Sequence, residues 1–435
     1  MLERALKLKE EGSFAEALLL ARPLLESDPK NSELLDLVGY LSYGVGAYDM
    51  ALECLLRLRA EGFWSSASAF TAAQCFYMYG RIDESLSLVE TLLFEDPRNT
   101  GYAFLASLLF SALGRHDDAY RVIESLPNDF NEMHSQRGRY LLRAGRFRDA
   151  MKLFASEGYA PPPLASLEGV RVLLVQQGGL GDAILCARFI EEYVVRGAEV
   201  SLVVHPLLHT LFSRLPRPPA KLYSLREEVI GRYDFIFSDS VAENILLLGR
   251  EDPLRALTVP YLSVLSAQRE KWETVVVKKE PLTPRLGIHW RGLPDQYGRF
   301  RFRDVPYRDL LSFSDIGTLY SFQRDKGHED IRAGDPVVDL GPRFESFEDT
   351  LGALSQLEYL VTGDACIAHL AGGLGVKTAL LLHADPFIPW ISSRAVSDWY
   401  PSVHLFKTEQ FGDWKKPIAD AREWLLRDMG FWGMV

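Results

Sequence analysis

Through the first third of the chain, apolar positions recur at helical spacing and glycines return on a fixed beat. Gly12, Gly46, Gly80 and Gly114 stand 34 residues apart, and Gly145 follows after 31. Five positions after each glycine comes a small residue: Ala17, Ala51, Ser85, Ala119 and Ala150. Two positions after it an aromatic or aliphatic residue recurs as Phe14, Tyr48, Ile82 and Phe147, with His116 breaking the rule, and twelve positions beyond the small residue two copies carry Pro29 and Pro97. Each mark has a physical reason. The glycine allows a tight turn between two helices, the small residue lets them pack closely, and the proline ends the second helix. Period, residue type and phase together predict successive helical hairpins over about residues 1–155 and a helical domain spanning 1–158.

These marks resemble the tetratricopeptide repeat (TPR), which implies an α-solenoid with a shared core and a concave groove able to hold an extended peptide or another protein. No catalysis is expected in such an array. Phe63, Trp64, Phe70, Phe76 and Tyr77 are open to two readings, as the lining of the groove or as helical core positions.

Ala160-Pro161-Pro162-Pro163-Leu164 then interrupts any helix and predicts a stiff spacer at a domain boundary. Beyond it, short β-branched runs alternate with amphipathic stretches. Val170–Val175, Glu199–Val204 and Tyr233–Phe237 read as strands, 182–196 as a helix, and 214–219 as an Arg/Pro-rich loop. After a linker at Lys278–Pro284 the pattern restarts with Arg285–Trp290, Gly317–Phe322, Pro336–Leu340, Leu357–Thr362 and Lys377–Leu382. Strands alternating with helices predict parallel sheets with right-handed crossovers. The expected organisation is one α/β lobe over 168–280, a second over 284–412, a cleft between them, and an amphipathic closing helix over 413–430.

Two glycine-bearing strand ends carry the candidate chemistry. Val175-Gln176-Gln177-Gly178-Gly179-Leu180-Gly181-Asp182 is a strand running into a loop that opens a helix. Its glycines permit close backbone approach, and the helix start favours anions. Ile184 occupies the place of the third glycine of a dinucleotide fingerprint and the Lys of a P-loop is missing, so neither motif applies. By residue type Asp182 is as good a helix cap as a catalytic group. The second is Gly363-Asp364-Ala365-Cys366-Ile367-Ala368-His369-Leu370-Ala371-Gly372-Gly373. Here Asp364 is placed to cap a helix and His369 to share its face, although a lone helical histidine is equally at home as a structural residue.

Taken in order, Gly179-Leu180-Gly181-Asp182, Gly287-Ile288-His289-Trp290, Ser321-Phe322-Gln323, Gly363-Asp364 with Ala368–Gly372, and Asp398-Trp399-Tyr400-Pro401-Ser402 resemble the heptosyltransferase-like glycosyltransferases of family 9, especially those fused to TPR arrays. The resemblance covers about 168–430. It implies a GT-B fold with two Rossmann-like lobes and transfer from a nucleotide-activated sugar with inversion, without a metal or other cofactor. The last helix is then expected to return to the first lobe. Matched residue by residue, Asp182 falls on the family's proposed base, and Gly363, Asp364, Ala365 and His369 on the donor-binding turn, with His289, Gln323 and Arg324 beside it. Gly179 and Gly181, with Arg299, Arg301 and Arg303, would face the acceptor or the phosphates. That arginine run also reads as an exposed edge strand. Likewise, His289 and Trp290 either flank the ligand or form a half-buried core pair. Two departures stand out: Gly363-Asp364-Ala365 replaces the frequent Val-Asp-Thr, removing a hydroxyl, and Arg324 replaces a frequent Lys, keeping charge with a different geometry.

Composition narrows the function classes. The 435 residues are 47% hydrophobic and 25% charged, as expected of globular domains, and carry a formal net charge of −11, which disfavours nucleic-acid binding. No segment has the makings of a membrane span or a cleaved signal, so a cytoplasmic protein is expected. Cys54, Cys75, Cys186 and Cys366 lack the spacing of a zinc site or a disulfide framework. The sequence therefore points to a glycosyltransferase whose repeats recruit a protein acceptor. A noncatalytic TPR scaffold with a degenerate transferase domain, and a nucleotide-sugar epimerase, are the competing readings.

Overall fold

A computed structural model describes residues 1–124, 126, 133–156, 166–238, 259–281, 283–292, 303–383, 386, 390, 395–408 and 412–430. The Ala160–Leu164 spacer, Arg299 and Arg301 lie outside them. Contacts divide the chain into two compact units between Ala144 and Gly145, earlier than the expected boundary near 158.

The first unit is built of antiparallel helix pairs: α1 (Leu2–Glu10) with α2 (Phe14–Ser27), α3 (Ser32–Gly44) with α4 (Tyr48–Ala60), α5 (Ser66–Met78) with α6 (Ile82–Glu95), and α7 (Thr100–Ala112) with α8 (His116–Glu124), followed by α9 (Met133–Arg143). The periodic glycines take the left-handed conformation that L side chains disfavour, from φ 68° at Gly80 to 79° at Gly46. They close the first helix of each pair, because the amide after the glycine reaches back to a carbonyl five residues earlier, as Ser13 to Leu8, Ala47 to Ser42, Arg81 to Phe76 and Arg115 to Phe110. The small positions Ala17, Ala51, Ser85 and Ala119 have no exposed surface. Ser85 is tolerated there because its hydroxyl donates to Ala73 O at 2.6 Å. Pro29 and Pro97 follow the ends of α2 and α6, and Asn31 and Asn99, two residues on, cap α3 and α7 through their side-chain oxygens. Of the aromatic set, Phe76 is core, Trp64, Phe70 and Tyr77 are half-buried, and Phe63 is exposed.

The second unit begins with α10 (Phe147–Ser156) and contains two parallel sheets. In the first, β1 (Arg171–Val175), β2 (Glu199–Val204), β3 (Lys221–Ser224) and β4 (Phe235–Ser238) lie in the order β3-β2-β1-β4. In the second, β5 (Arg285–His289), β6 (Thr318–Ser321), β7 (Val337–Asp339), β8 (Tyr359–Gly363), β9 (Lys377–Leu382) and β10 (Val403–Lys407) lie in the order β10-β9-β8-β5-β6-β7. Both have the doubly wound arrangement in which the chain starts at a central strand, steps outward, then returns to the other side. The fold class is thus an α-helical repeat array followed by two Rossmann-like lobes. Among the described residues no helix is long and apolar enough to cross a membrane.

Four expectations change. The 182–196 helix is two helices, α11 (Leu180–Cys186) and α12 (Arg188–Val195), joined at Ala187. Edge strands β3 and β10 join the sheets. The chain has already reached the second lobe by Tyr261, whose amide bonds Gly373 O, and the Ser266–Glu273 helix packs on Phe347–Leu354, where Lys271 Nζ stands 2.6 Å from Asp349 Oδ1 and Trp272 is fully buried. Finally, the closing helix Lys415–Asp428 does not return to the first lobe in any described contact. Its apolar face, Ile418, Ala421 and Leu425, joins the core of Leu286, Ile288, Val361 and Leu381, and Asp428 holds Lys377 at 2.7 Å. An apolar stripe facing the second sheet decides the placement, because burying it there removes it from water without spanning the lobes.

Candidate functional site

In doubly wound sheets a ligand crevice opens outside the carboxyl ends of the strands where the order reverses. That point lies between β1 and β4 in the first lobe and between β5 and β8 in the second. The Gly178–Asp182 loop follows β1, and the Gly363–Ala365 turn follows β8. The structure brings these two together. A methyl placed on Gly181 would stand 3.0 Å from His369 Cδ2 and 3.5 Å from Cys366 Cα, so α11 meets the helix Cys366–Leu374 closely at this glycine.

Asp182 occupies this seam and is half-exposed. Its Oδ2 accepts from the Gly179 amide at 2.8 Å, so it does cap its own helix. A side chain on Gly178 would collide with it, at 2.5 Å from Oδ2. Its charge also reaches across the seam: the Cys366 thiol is pushed up to about 12, chiefly by burial and further by Asp182.

On the other side, Ala365 precedes the first residue of the Cys366–Leu374 helix and no side chain caps it. Asp364 does not supply the expected cap, because its Oδ1 is turned to the Trp390 indole N–H at 2.9 Å. Its Oδ2 is buried without a hydrogen-bond partner among the described residues. The helix start therefore keeps its dipole and amides available to an anion. Gly363 is closely packed where it stands, since a methyl there would press on Arg303 O at 3.1 Å and Val305 Cγ2 at 3.2 Å. The Arg303 guanidinium flanks the same turn: a methyl on Gly292 would lie 3.8 Å from Arg303 Nη2 and 3.9 Å from Ala365 Cβ. Next to it, the Asp304 carboxyl is pushed up to about 6 by burial, against the pull of Arg291 and Arg303. Arg291 pairs with Asp304 at 3.1 Å and Asp330 at 3.3 Å.

The remaining candidates separate. His289 ends β5 with Nδ1 3.4 Å from Thr362 Oγ1 on β8, at the reversal point, and desolvation lowers its pKa to about 4. Trp290 is a core residue packed against Tyr307 in a tilted ring pair, with centroids 4.5 Å apart. Gln323 is not available to a ligand through its carboxamide. Oε1 accepts from the amides of Trp290 and Arg291, and Nε2 donates to Arg291 O at 2.8 Å and Lys326 O at 2.7 Å, so the side chain is spent on bracing two loops. Arg324 is exposed just beyond it.

His369 is 3% exposed, lies against the Trp390 ring at 4.7 Å, and has Nδ1 3.1 Å from Tyr400 Oη. Burial, aided by the Arg188 charge, lowers its pKa to about 3. Since the native pKa lies below the unfolded value near 6.5, its contribution to stability is complete above about pH 6.5 and is lost as pH falls toward the native value. We expect about 2 kcal/mol to be lost from the second unit between pH 6.5 and 5 through this residue, with His289 acting in the same direction. Urea unfolding at pH 7.5 and 5 checks this: His369→Gln should flatten the dependence, and an unchanged slope would refute the assignment.

Beside His369 lies a group that residue-by-residue reading missed. Arg188 on α12, 4% exposed, donates to Trp399 O at 2.7 Å and Leu185 O at 3.1 Å, and lies over the rings of Tyr400, Tyr261 and Trp399 at 4.4, 5.1 and 5.4 Å. Among the described residues no carboxylate pairs with it, and its Nη2 is buried without a hydrogen-bond partner. Burial works against the charge and the Tyr400 and Tyr261 side chains offset it, so its pKa is raised overall, and a guanidinium stays protonated in any case. It ties the first lobe to the second. The Asp398–Ser402 block held a signal for Trp399 and Tyr400; nothing local pointed to Arg188, Tyr261 or Trp390.

No protein-family model matches the chain, and no curated protein matches it in sequence. Among solved structures it is similar to MamA, at 19% identity over 35% of this chain and 86% of MamA with a TM-score of 0.33. A second MamA structure gives 18% over 36% and 95%, with a TM-score of 0.34. It is also similar to E. coli ADP-heptose LPS heptosyltransferase II, at 13% identity over 60% of this chain and 99% of that one with a TM-score of 0.42. Likenesses of this degree leave the function to be argued from the chain's own residues.

Proposed function

We propose that the second unit is a GT-B glycosyltransferase that moves a sugar from a nucleotide-sugar donor to an acceptor hydroxyl, with inversion and without a metal, and that the repeats hold a protein acceptor. The observation that carries this reading is the meeting of Asp182, at the first lobe's reversal point, with the uncapped helix start at the second lobe's. The donor diphosphate would lie on that helix start with Arg303 alongside, where fixed dipoles and a fixed cation stabilise the charge that develops as it leaves. The acceptor oxygen attacks the anomeric carbon, the bond from that carbon to the phosphate oxygen breaks, and the hydroxyl proton passes to Asp182. A noncatalytic scaffold is favoured by one feature, the absence of a hydroxyl at Ala365, and it requires that no nucleotide sugar binds.

The test is a thermal-shift panel of nucleotide sugars on the full chain. A donor at 100 times its Kd should stabilise the protein by about 2.7 kcal/mol. A shift selective for one nucleotide supports the transferase and chooses the donor. No shift with any member, across salt concentrations, sinks it in favour of the scaffold.

A further inference from the structure

The hydrogen-bond geometry around His369 favours one placement of its protons. Tyr261 Oη lies 2.8 Å from Ile184 O, and a carbonyl only accepts, so the single Tyr261 hydroxyl proton is committed there. Tyr261 Oη also lies 3.2 Å from Tyr400 Oη, and with its own proton spent it must accept, which commits the Tyr400 proton to it. Tyr400 Oη is then an acceptor toward His369 Nδ1 at 3.1 Å, and Nδ1 must carry the imidazole hydrogen. The opposite tautomer would leave the two tyrosine oxygens facing each other at 3.2 Å with no hydroxyl proton between them, and only the Arg188 guanidinium nearby to offset the repulsion. Burial and the neighbouring Arg188 keep the ring neutral. The other nitrogen, Nε2, is therefore a bare lone pair. It makes no hydrogen bond among the described residues and points toward the seam, 3.6 Å from where a methyl on Gly181 would stand, next to the residue that carries the Asp182 carboxylate.

We infer that the Ile184–Tyr261–Tyr400 chain fixes His369 as the Nδ1–H tautomer, so that Nε2 accepts a hydrogen bond from a hydroxyl of the bound glycosyl group. This rests on the transferase reading for its ligand, and on hydrogen-bond geometry alone for the tautomer. A neutral ring with an outward lone pair suits a hydroxyl and repels a phosphate oxygen, so His369 belongs to the sugar part of the donor site, and the diphosphate to the helix start and Arg303. Tyr400 and Tyr261 are positioning residues. Gly372 makes room for Tyr400, since a methyl there would stand 2.5 Å from the tyrosine ring.

Nitrogen NMR of the full chain with 15N-labelled histidine, assigned by loss of one signal set in His369→Gln, reads the tautomer directly. The expected spectrum has His369 Nδ1 protonated and Nε2 unprotonated. Adding the donor chosen by the thermal-shift panel should move Nε2 in the direction of an accepted hydrogen bond, whereas the matching nucleoside diphosphate should not. In Tyr261→Phe the Tyr400 proton is released to donate to Nδ1, so the Nε2–H form should become populated. Donor affinity should fall about fivefold, the worth of one ordinary hydrogen bond, with diphosphate affinity unchanged. A protonated Nε2 in the ligand-free protein, or an Nε2 that responds equally to the diphosphate, overturns the inference whatever the donor panel gives. An Nδ1–H tautomer in a protein that binds no nucleotide sugar overturns the hydroxyl contact together with the transferase, and leaves the tautomer lock standing.

Discussion

Asp182→Asn is expected to lower glycosyl transfer by about 10²–10⁴-fold while leaving the fold intact, whereas Asp182→Ala should lose both activity and stability. The two variants separate the two roles of one carboxylate. Asparagine retains a side-chain oxygen that can accept from the Gly179 amide at the present 2.8 Å, so the loop and helix start keep their geometry, but an amide cannot take the acceptor's proton. Alanine removes the acceptor as well, at about 1 kcal/mol for a lost cap. Kinetics with the selected donor, paired with urea midpoints for both variants, checks the split. If Asp182→Asn transfers sugar at the wild-type rate, Asp182 is a cap and the base lies elsewhere.

The second large effect is expected at Arg188. Truncation to Ala strips Trp399 O and Leu185 O of their buried donor, uncovers three aromatic faces, and leaves a void where the lobes meet, which together should cost about 3–5 kcal/mol. Arg188→Met fills most of the volume and removes an uncompensated buried charge, so it should recover a good part of that loss. Urea unfolding followed by tryptophan fluorescence suits the site, since Trp399 and Trp390 are part of it. Equal stability of Arg188→Ala and wild type would mean that the guanidinium does not hold the lobes. Because the cation also helps keep His369 neutral, either variant should let the histidine titrate closer to its ordinary value.

The repeat array was legible because its rules are local. A glycine at φ above 60°, a small residue under a helix crossing and a proline past a helix end are each written within 34 residues, and each stands where the spacing put it. The central strands of both sheets were legible for the same reason, being short β-branched runs buried on both faces. What was missed lies at edges and across distance. β3 is four residues long with only Tyr223 buried, and β10 is an edge strand with mixed burial, so neither carries a strong apolar signature. Arg188 meets Trp399 across 211 residues of sequence. Its charge reads as surface until the aromatic rings from the second lobe are in place around it. Gln323 shows the converse. A polar residue at a strand end of a doubly wound lobe invites a binding role, yet its hydrogen bonds are all consumed by main chain, which only the loop path reveals. Asp182 fell between these cases: its position at a helix start was legible, whereas its place at a seam between lobes required the fold.

The left-handed glycine that closes the first helix of each pair has a consequence for how the chain can change over generations. Because every hairpin carries its own stop signal and the next begins with its own start, a cut at Gly46 and another at Gly80 would remove one whole unit and rejoin like to like. Length in such an array is a modular trait: helical hairpins can in principle be added or removed in steps of 34 residues without rewriting the parallel sheets downstream.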